Sequence, residues 1–210
     1  MARLSLLAPL GALIFTLSWL VLGFISPGYR LFDLVIAPYS PIAQPISGLG
    51  LGVTGPLMNG AFIVSGLLVL VGVLAARPLW PNTGRAPTAA TVALAITGFG
   101  MLLDGLFTLE SVMLHLLGFL LAIGGAVVGF SIAAVSLRSS WRIGSIMLGL
   151  AAAAAVVLFV VFMVIFDPYS AGDNSGVAGL VQRVLVTVVL GGIAFLVLGL
   201  RARRGDVARG

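Results

Sequence analysis

His115 is the only histidine of the chain, and it belongs to a line of residues, Ser111, His115, Gly118, Ala122, Gly125 and Gly129, spaced four, three, four, three and four apart. On an α-helix that spacing is a single stripe. Small residues along a stripe let a second helix approach closely, and in lipid helix association depends on such packing. Gly118, Gly125 and Gly129 are therefore read as packing positions, with Gly125 and Gly129 forming a GxxxG pair. Because His115 shares the stripe, it points into a bundle near one end. Two readings stand for it: a hydrogen bond to a neighbouring helix, or a proton-responsive or ligand-contacting group.

Other polar residues fall near the same level. Asp104 lies eleven residues before His115, on a stripe with Thr97 and Gly100. An ionisable residue inside an apolar segment is costly unless paired or wet, which makes Asp104 a site candidate. Glu110 is a second candidate, although an acid close to a helix start is also favoured by the helix dipole. Arg183, preceded by Gln182, sits two turns into the last apolar segment. Its guanidinium either snorkels outward or pairs inward with Asp104, Glu110, Asp167 or an anionic headgroup, since its planar fork suits both carboxylate and phosphate. Asn59 is either a ligand contact or a bond to another helix.

Several chemistries are excluded or fail on context. With no cysteine there are no disulfides, thiolate ligands or cysteine nucleophiles. One histidine without cysteine does not make the usual zinc site, and no GxSxG elbow is present. No catalytic residue, metal or cofactor is assigned on this reading. Gly50-Leu51-Gly52-Val53-Thr54-Gly55 matches GxGxxG, but no strand precedes it and no βαβ unit follows. It is read as a hinge into the next helix, or as a run of backbone N–H groups open to an anion, with Pro56 suited to the first helical position.

The elements that position these residues follow from composition. Sixty per cent of residues are hydrophobic and eight per cent charged, against about a quarter charged in soluble domains, so lipid must be the solvent for much of the chain. Apolar runs long enough to cross a bilayer occur at about 6–25, 56–76, 87–107, 111–137, 143–166 and 177–200. The expected fold is all-α, one integral membrane domain of six spanning helices. The first run is too long for a signal peptide, and no small-x-small cleavage site follows it.

Arginine placement sets the expected direction. Arg3, Arg77, Arg85, Arg138, Arg142, Arg201, Arg203, Arg204 and Arg209 flank one side; only Arg30 and Arg183 fall on the other, with Asp33, Asp104, Glu110, Asp167 and Asp173. Both termini are thus expected in the cytoplasm, and the protein in the inner (plasma) membrane of a bacterium. The arginines form no stripe, so nucleic acid is not an expected partner. Residues 26–55 make a long extracytoplasmic loop, expected to lie on the membrane surface or to fold back as a cap. Pro38-Tyr39-Ser40 and Pro168-Tyr169-Ser170 echo one another in two of the loops that follow outward-going helices.

Tyr39-Ser40-Pro41, Gln44-Pro45-Ile46-Ser47-Gly48-Leu49-Gly50, Gly105-Leu106-Phe107 with His115, and Gly179-Leu180-Val181-Gln182-Arg183 resemble the motifs of the bacterial and archaeal membrane family known as domain of unknown function 998. The resemblance runs from the first span to the sixth. It implies a six-helix membrane fold with no assigned activity, and it adds Ser47 to His115, Gln182 and Arg183 as shared features. Gly48 stands where the family commonly has an acid, and the stretch from Phe107 to His115 lacks the family's usual Pro and Asp. The leading functional expectation is binding or transport of a lipid-like or amphiphilic molecule in an outward-facing cavity where His115, Asp104, Glu110 and Arg183 converge. The alternatives are an accessory subunit, with a membrane-protein partner or a second copy of the chain, and an intramembrane lipid-modifying enzyme that uses His115 with an acid. Membrane lipids are the expected partners in the first case.

Overall fold

The structure, a computed structural model, describes residues 3–167 and 174–207. The Pro168-Tyr169-Ser170 half of the echo, Asp173 and Arg209 lie outside the described residues. Among the described residues six helices are long and apolar enough to cross a membrane: α1 (Leu7–Ile25), α2 (Gly55–Ala76), α3 (Arg85–Leu106), α4 (Val112–Leu137), α5 (Arg142–Ile165) and α6 (Ala178–Val207). They match the six expected runs, and the chain is a multi-pass membrane protein. α6 continues past the expected end at Leu200. Arginine and alanine are good helix formers, so the helix outlasts the apolar run that marks it in the sequence.

Proline sets several of the boundaries. α1 stops at Ile25 because Ser26 precedes Pro27 and takes an extended backbone. Pro56 sits in the first turn of α2, where its missing N–H has no intrahelical partner to lose. Pro78 lies in a short 3-10 turn, Arg77–Leu79, that closes α2.

Each helix packs on its neighbours in sequence, and α6 returns to α1, so the six close into a ring. The most extensive seam is α3 against α4. A Cβ added at Gly100 of α3 would lie 2.4 Å from Ala122 N and 2.5 Å from Gly118 O, both backbone atoms of α4. On the facing stripe, a Cβ at Gly125 would lie 2.6 Å from Ala93 O, and one at Gly129 2.5 Å from the Leu94 side chain. The stripe of α4 is therefore packed against α3 inside the chain.

The loop after α1 folds back over one end of the ring, called here the loop end; the opposite end is rich in arginine. The loop also departs from an all-helical reading. Tyr29–Leu31 (β1) and Leu34–Ile36 (β2) form an antiparallel hairpin with Tyr29 opposite Ile36 and Leu31 opposite Leu34. Tyr29, Leu31 and Ile36 turn inward and are buried, while Arg30 and Val35 face out. Strands of three residues are too short to show a period in the sequence. After the hairpin, a 3-10 turn at Ile46–Gly50 drives Ile46 and Leu49, both almost fully buried, into the bundle as a plug.

Gly100→Ala is expected to force α3 from α4 and destabilise the protein by about 1–3 kcal/mol, seen as a lower thermal midpoint in detergent. Gly60→Ala, with nothing within 4 Å of the new Cβ, is the control. It should be neutral or mildly stabilising.

Candidate functional site at the loop end

Three elements bring Ser47, His115 and Asp104 together. The short turn between α3 and α4 places the Phe107 carbonyl over the first turns of α4, and His115 Nδ1 lies 2.7 Å from it. A carbonyl oxygen only accepts, so Nδ1 carries the proton and the neutral ring presents a lone pair at Nε2. Ser47 Oγ is 2.8 Å from Nε2 and is therefore the donor in that bond. Asp104, in the last turn of α3, places Oδ1 3.7 Å from His115 Nδ1. That oxygen is buried and has no hydrogen-bond partner among the described residues. Space for the carboxylate comes from Gly118, where a Cβ would sit 2.3 Å from Oδ1. Ser47, His115 and Asp104 are 7%, 7% and 4% exposed.

Arg183 does something different from what the sequence suggests. It is buried and turned inward, but among the described residues its partners are not carboxylates. Nη1 donates to the carbonyls of Pro41 (2.6 Å), Gln44 (2.9 Å) and Gly179 (3.0 Å), and Nη2 donates to Tyr39 Oη (2.6 Å). The guanidinium also lies 5.5 Å from the Trp19 ring centroid and 5.8 Å from that of Tyr39, within cation–π range. Tyr39 in turn donates to Pro45 O at 2.9 Å. Burial raises the Tyr39 phenol above the usual tyrosine range, with the charge of Arg183 and its hydrogen bond pulling the other way. The net rise keeps the phenol protonated, and so a donor, at neutral pH.

The start of α6 is stitched to the same loop. Gly179 N–H and Leu180 N–H donate to Ala43 O (3.2 Å) and Ile42 O (2.9 Å), and Gln182 Oε1 accepts from Ile46 N–H at 2.6 Å. A Cβ at Gly179 would lie 2.2 Å from Gln44 O, so only glycine lets the two backbones meet. Gln44 bonds the Ser40 amide and Asn174.

Two sequence candidates leave the cluster. Glu110 is exposed, in the turn ahead of α4; an acid there stays solvated and has no reason to enter the bundle. Asn59 donates to the Gly50 carbonyl at 3.0 Å and so holds the glycine-rich segment. The expected convergence of four charged residues is thus replaced by two groups: Ser47–His115–Asp104, and Arg183 with the loop backbone. Gln182 and the Gln44–Ser47 segment link them.

Two cavities meet at Ser47. One, about 310 Å³, lies between the hairpin, α4, α5 and α6. Its walls include Leu116, Phe119, Phe162 and Phe166, and its polar lining is Ser47, His115 and Gln182. The other, about 40 Å³, occupies the middle of the ring and is lined in part by Ser47, Thr97, Asp104 and Gln182. Ser47, Phe119 and Gln182 line both, so the cavities share a wall.

Arg183→Lys keeps the charge but loses the fork that reaches Tyr39 and three carbonyls at once. It is expected to cost about 1.5–3 kcal/mol for charge-assisted bonds, with faster amide hydrogen exchange across residues 39–50. Unchanged exchange there would show that the loop holds without the clamp.

No curated protein and no solved structure matches the chain. The family model described as protein of unknown function (DUF998) matches residues 9–201. With nearly the whole chain matched, this protein belongs to the DUF998 family.

Proposed function

We propose that the chain binds a lipid-like, single-chain amphiphile in the cavity between the loop hairpin, α4 and α5, and that the loop end lies on the outer face of the plasma membrane. The observation that carries this reading is the polarity gradient of the cavity. Phe32, Val112 and Met163 on its lining are 60%, 53% and 44% exposed and wholly apolar, whereas Ser47, His115 and Gln182 are buried. A cavity flanked by two spanning helices and rimmed by apolar side chains favours entry from hydrocarbon rather than from water. The few polar groups at its depth would orient a headgroup or a carbonyl. Its volume suits one chain, being at the low end of ordinary ligand sites of about 300–1,000 Å³. The arginine-rich opposite end supports cytoplasmic termini.

Native mass spectrometry of protein extracted in mild detergent should show one bound amphiphile per chain. Leu116→Trp, which fills the cavity, should release it. An empty wild-type protein, or equal retention in the variant, would remove the reading. Orientation is tested separately. Since the chain has no cysteine, Asp33→Cys at the hairpin tip should react with a membrane-impermeant maleimide on intact cells. Ser139→Cys, between α4 and α5, should react only after lysis.

A further inference from the structure

We infer that Ser47 and His115 form a nucleophile–base pair that cleaves or transfers an acyl ester, so that the cavity's amphiphile is an ester substrate rather than only a passenger. This rests on the binding reading above and names its substrate class.

The geometry is that of an activated serine. Nδ1 of His115 is tied to the Phe107 carbonyl at 2.7 Å, which leaves Nε2 as the base, and Ser47 Oγ–H points its proton at that lone pair from 2.8 Å. A nucleophile within hydrogen-bond reach of a base, itself oriented by a third group, is the arrangement that acyl transfer requires. A bond that merely tied the loop to α4 would need nothing more. Asp104 is the residue such a role leaves over: a buried carboxyl oxygen with no partner among the described residues, 3.7 Å from the ring nitrogen that stays protonated throughout. When Nε2 takes up a proton the ring becomes a cation, and the carboxyl group of Asp104 already stands beside it. Asp104 acts through His115 and is a positioning residue. Gln182 lines the cavity beside Ser47. Because its Oε1 is engaged by Ile46 N–H, its amide nitrogen is the end left to donate to a developing oxyanion.

The steps balance. Ser47 Oγ bonds to the ester carbonyl carbon as its proton moves to His115 Nε2. The tetrahedral adduct collapses, the carbon–oxygen bond to the alcohol breaks, and the leaving alkoxide takes that proton, giving acyl-Ser47 and a free alcohol. Water, or a second alcohol, then attacks the acyl carbon while His115 accepts its proton and returns it to Ser47 Oγ. This releases a carboxylic acid or a new ester. The central cavity of about 40 Å³ adjoining Ser47 has room for such a water, and the apolar walls of the larger cavity take the acyl chain.

The test is covalent labelling of full-length protein in detergent with decyl fluorophosphonate, read by intact mass and peptide mapping, beside a decyl diazirine photoprobe that reports occupancy alone. A single phosphonyl adduct on Ser47 is expected. It should be absent in Ser47→Ala and slowed about 100-fold or more in His115→Gln. Asp104→Asn should slow it less, with photolabelling of α4 and α5 retained in all three variants. Retained photolabelling is the check that each variant has folded. Photolabelling without any Ser47 adduct in the wild type would overturn the activity and leave the binding reading standing. An adduct that persists undiminished in His115→Gln would overturn the base assignment. Failure of both probes would remove both readings.

Discussion

A guanidinium held inside a membrane bundle must keep its donors occupied, because neither lipid nor a dry core offers acceptors and an unmet charge there is strongly unfavourable. Arg183 meets that demand with backbone. The carbonyls of Pro41, Gln44 and Gly179 and the hydroxyl of Tyr39 surround it, and three of those four groups belong to the loop after α1. The loop is therefore not a tether between α1 and α2. It is the solvation shell of a buried cation, and its course over the bundle follows from where that cation lies. The acceptors described around Arg183 are neutral, so Asp104 stays available to a different neighbour.

That placement is what creates the candidate site. With Gln44 fixed at Arg183 and Ile46 fixed at Gln182, Ser47 is delivered to the inner side of the cap at the level of His115. The second half of the geometry comes from α3 and α4. Their backbones approach so closely, through Gly100 and Gly118, that Asp104 on one helix reaches the ring of His115 on the other. Loop and hairpin thus contribute separately, and the pair forms only where both are in register. The same register separates the two cavities, since Ser47, Gln182 and Phe119 form their common wall.

Membership of the DUF998 family assigns no chemistry. The hydrogen-bond pattern of the site goes further than the fold does. A carbonyl at Nδ1 determines the imidazole tautomer, and the tautomer determines which partner of the Ser47–His115 bond holds the proton. Neither statement depends on what family the chain belongs to. Both follow from a carbonyl being unable to donate.

By itself the sequence determined the six spans and the packing face of α4, because a bilayer demands long uninterrupted apolar runs and helical geometry brings residues three and four apart onto one face. It also marked His115, Asp104 and Arg183 as unusual, since ionisable residues in apolar segments are rare on energetic grounds alone. What it could not contain was the choice of partners. Arg183 had carboxylates nearby in sequence and took loop carbonyls 139 and 142 residues away instead, because a loop has free acceptors wherever its backbone is not in a ladder or helix. Ser47 carried no local sign of reactivity. Only closure of the ring and folding of the cap brought it against a histidine 68 residues distant, and that contact is a property of the tertiary structure, set by backbone approach and hydrogen-bond satisfaction rather than by any local pattern.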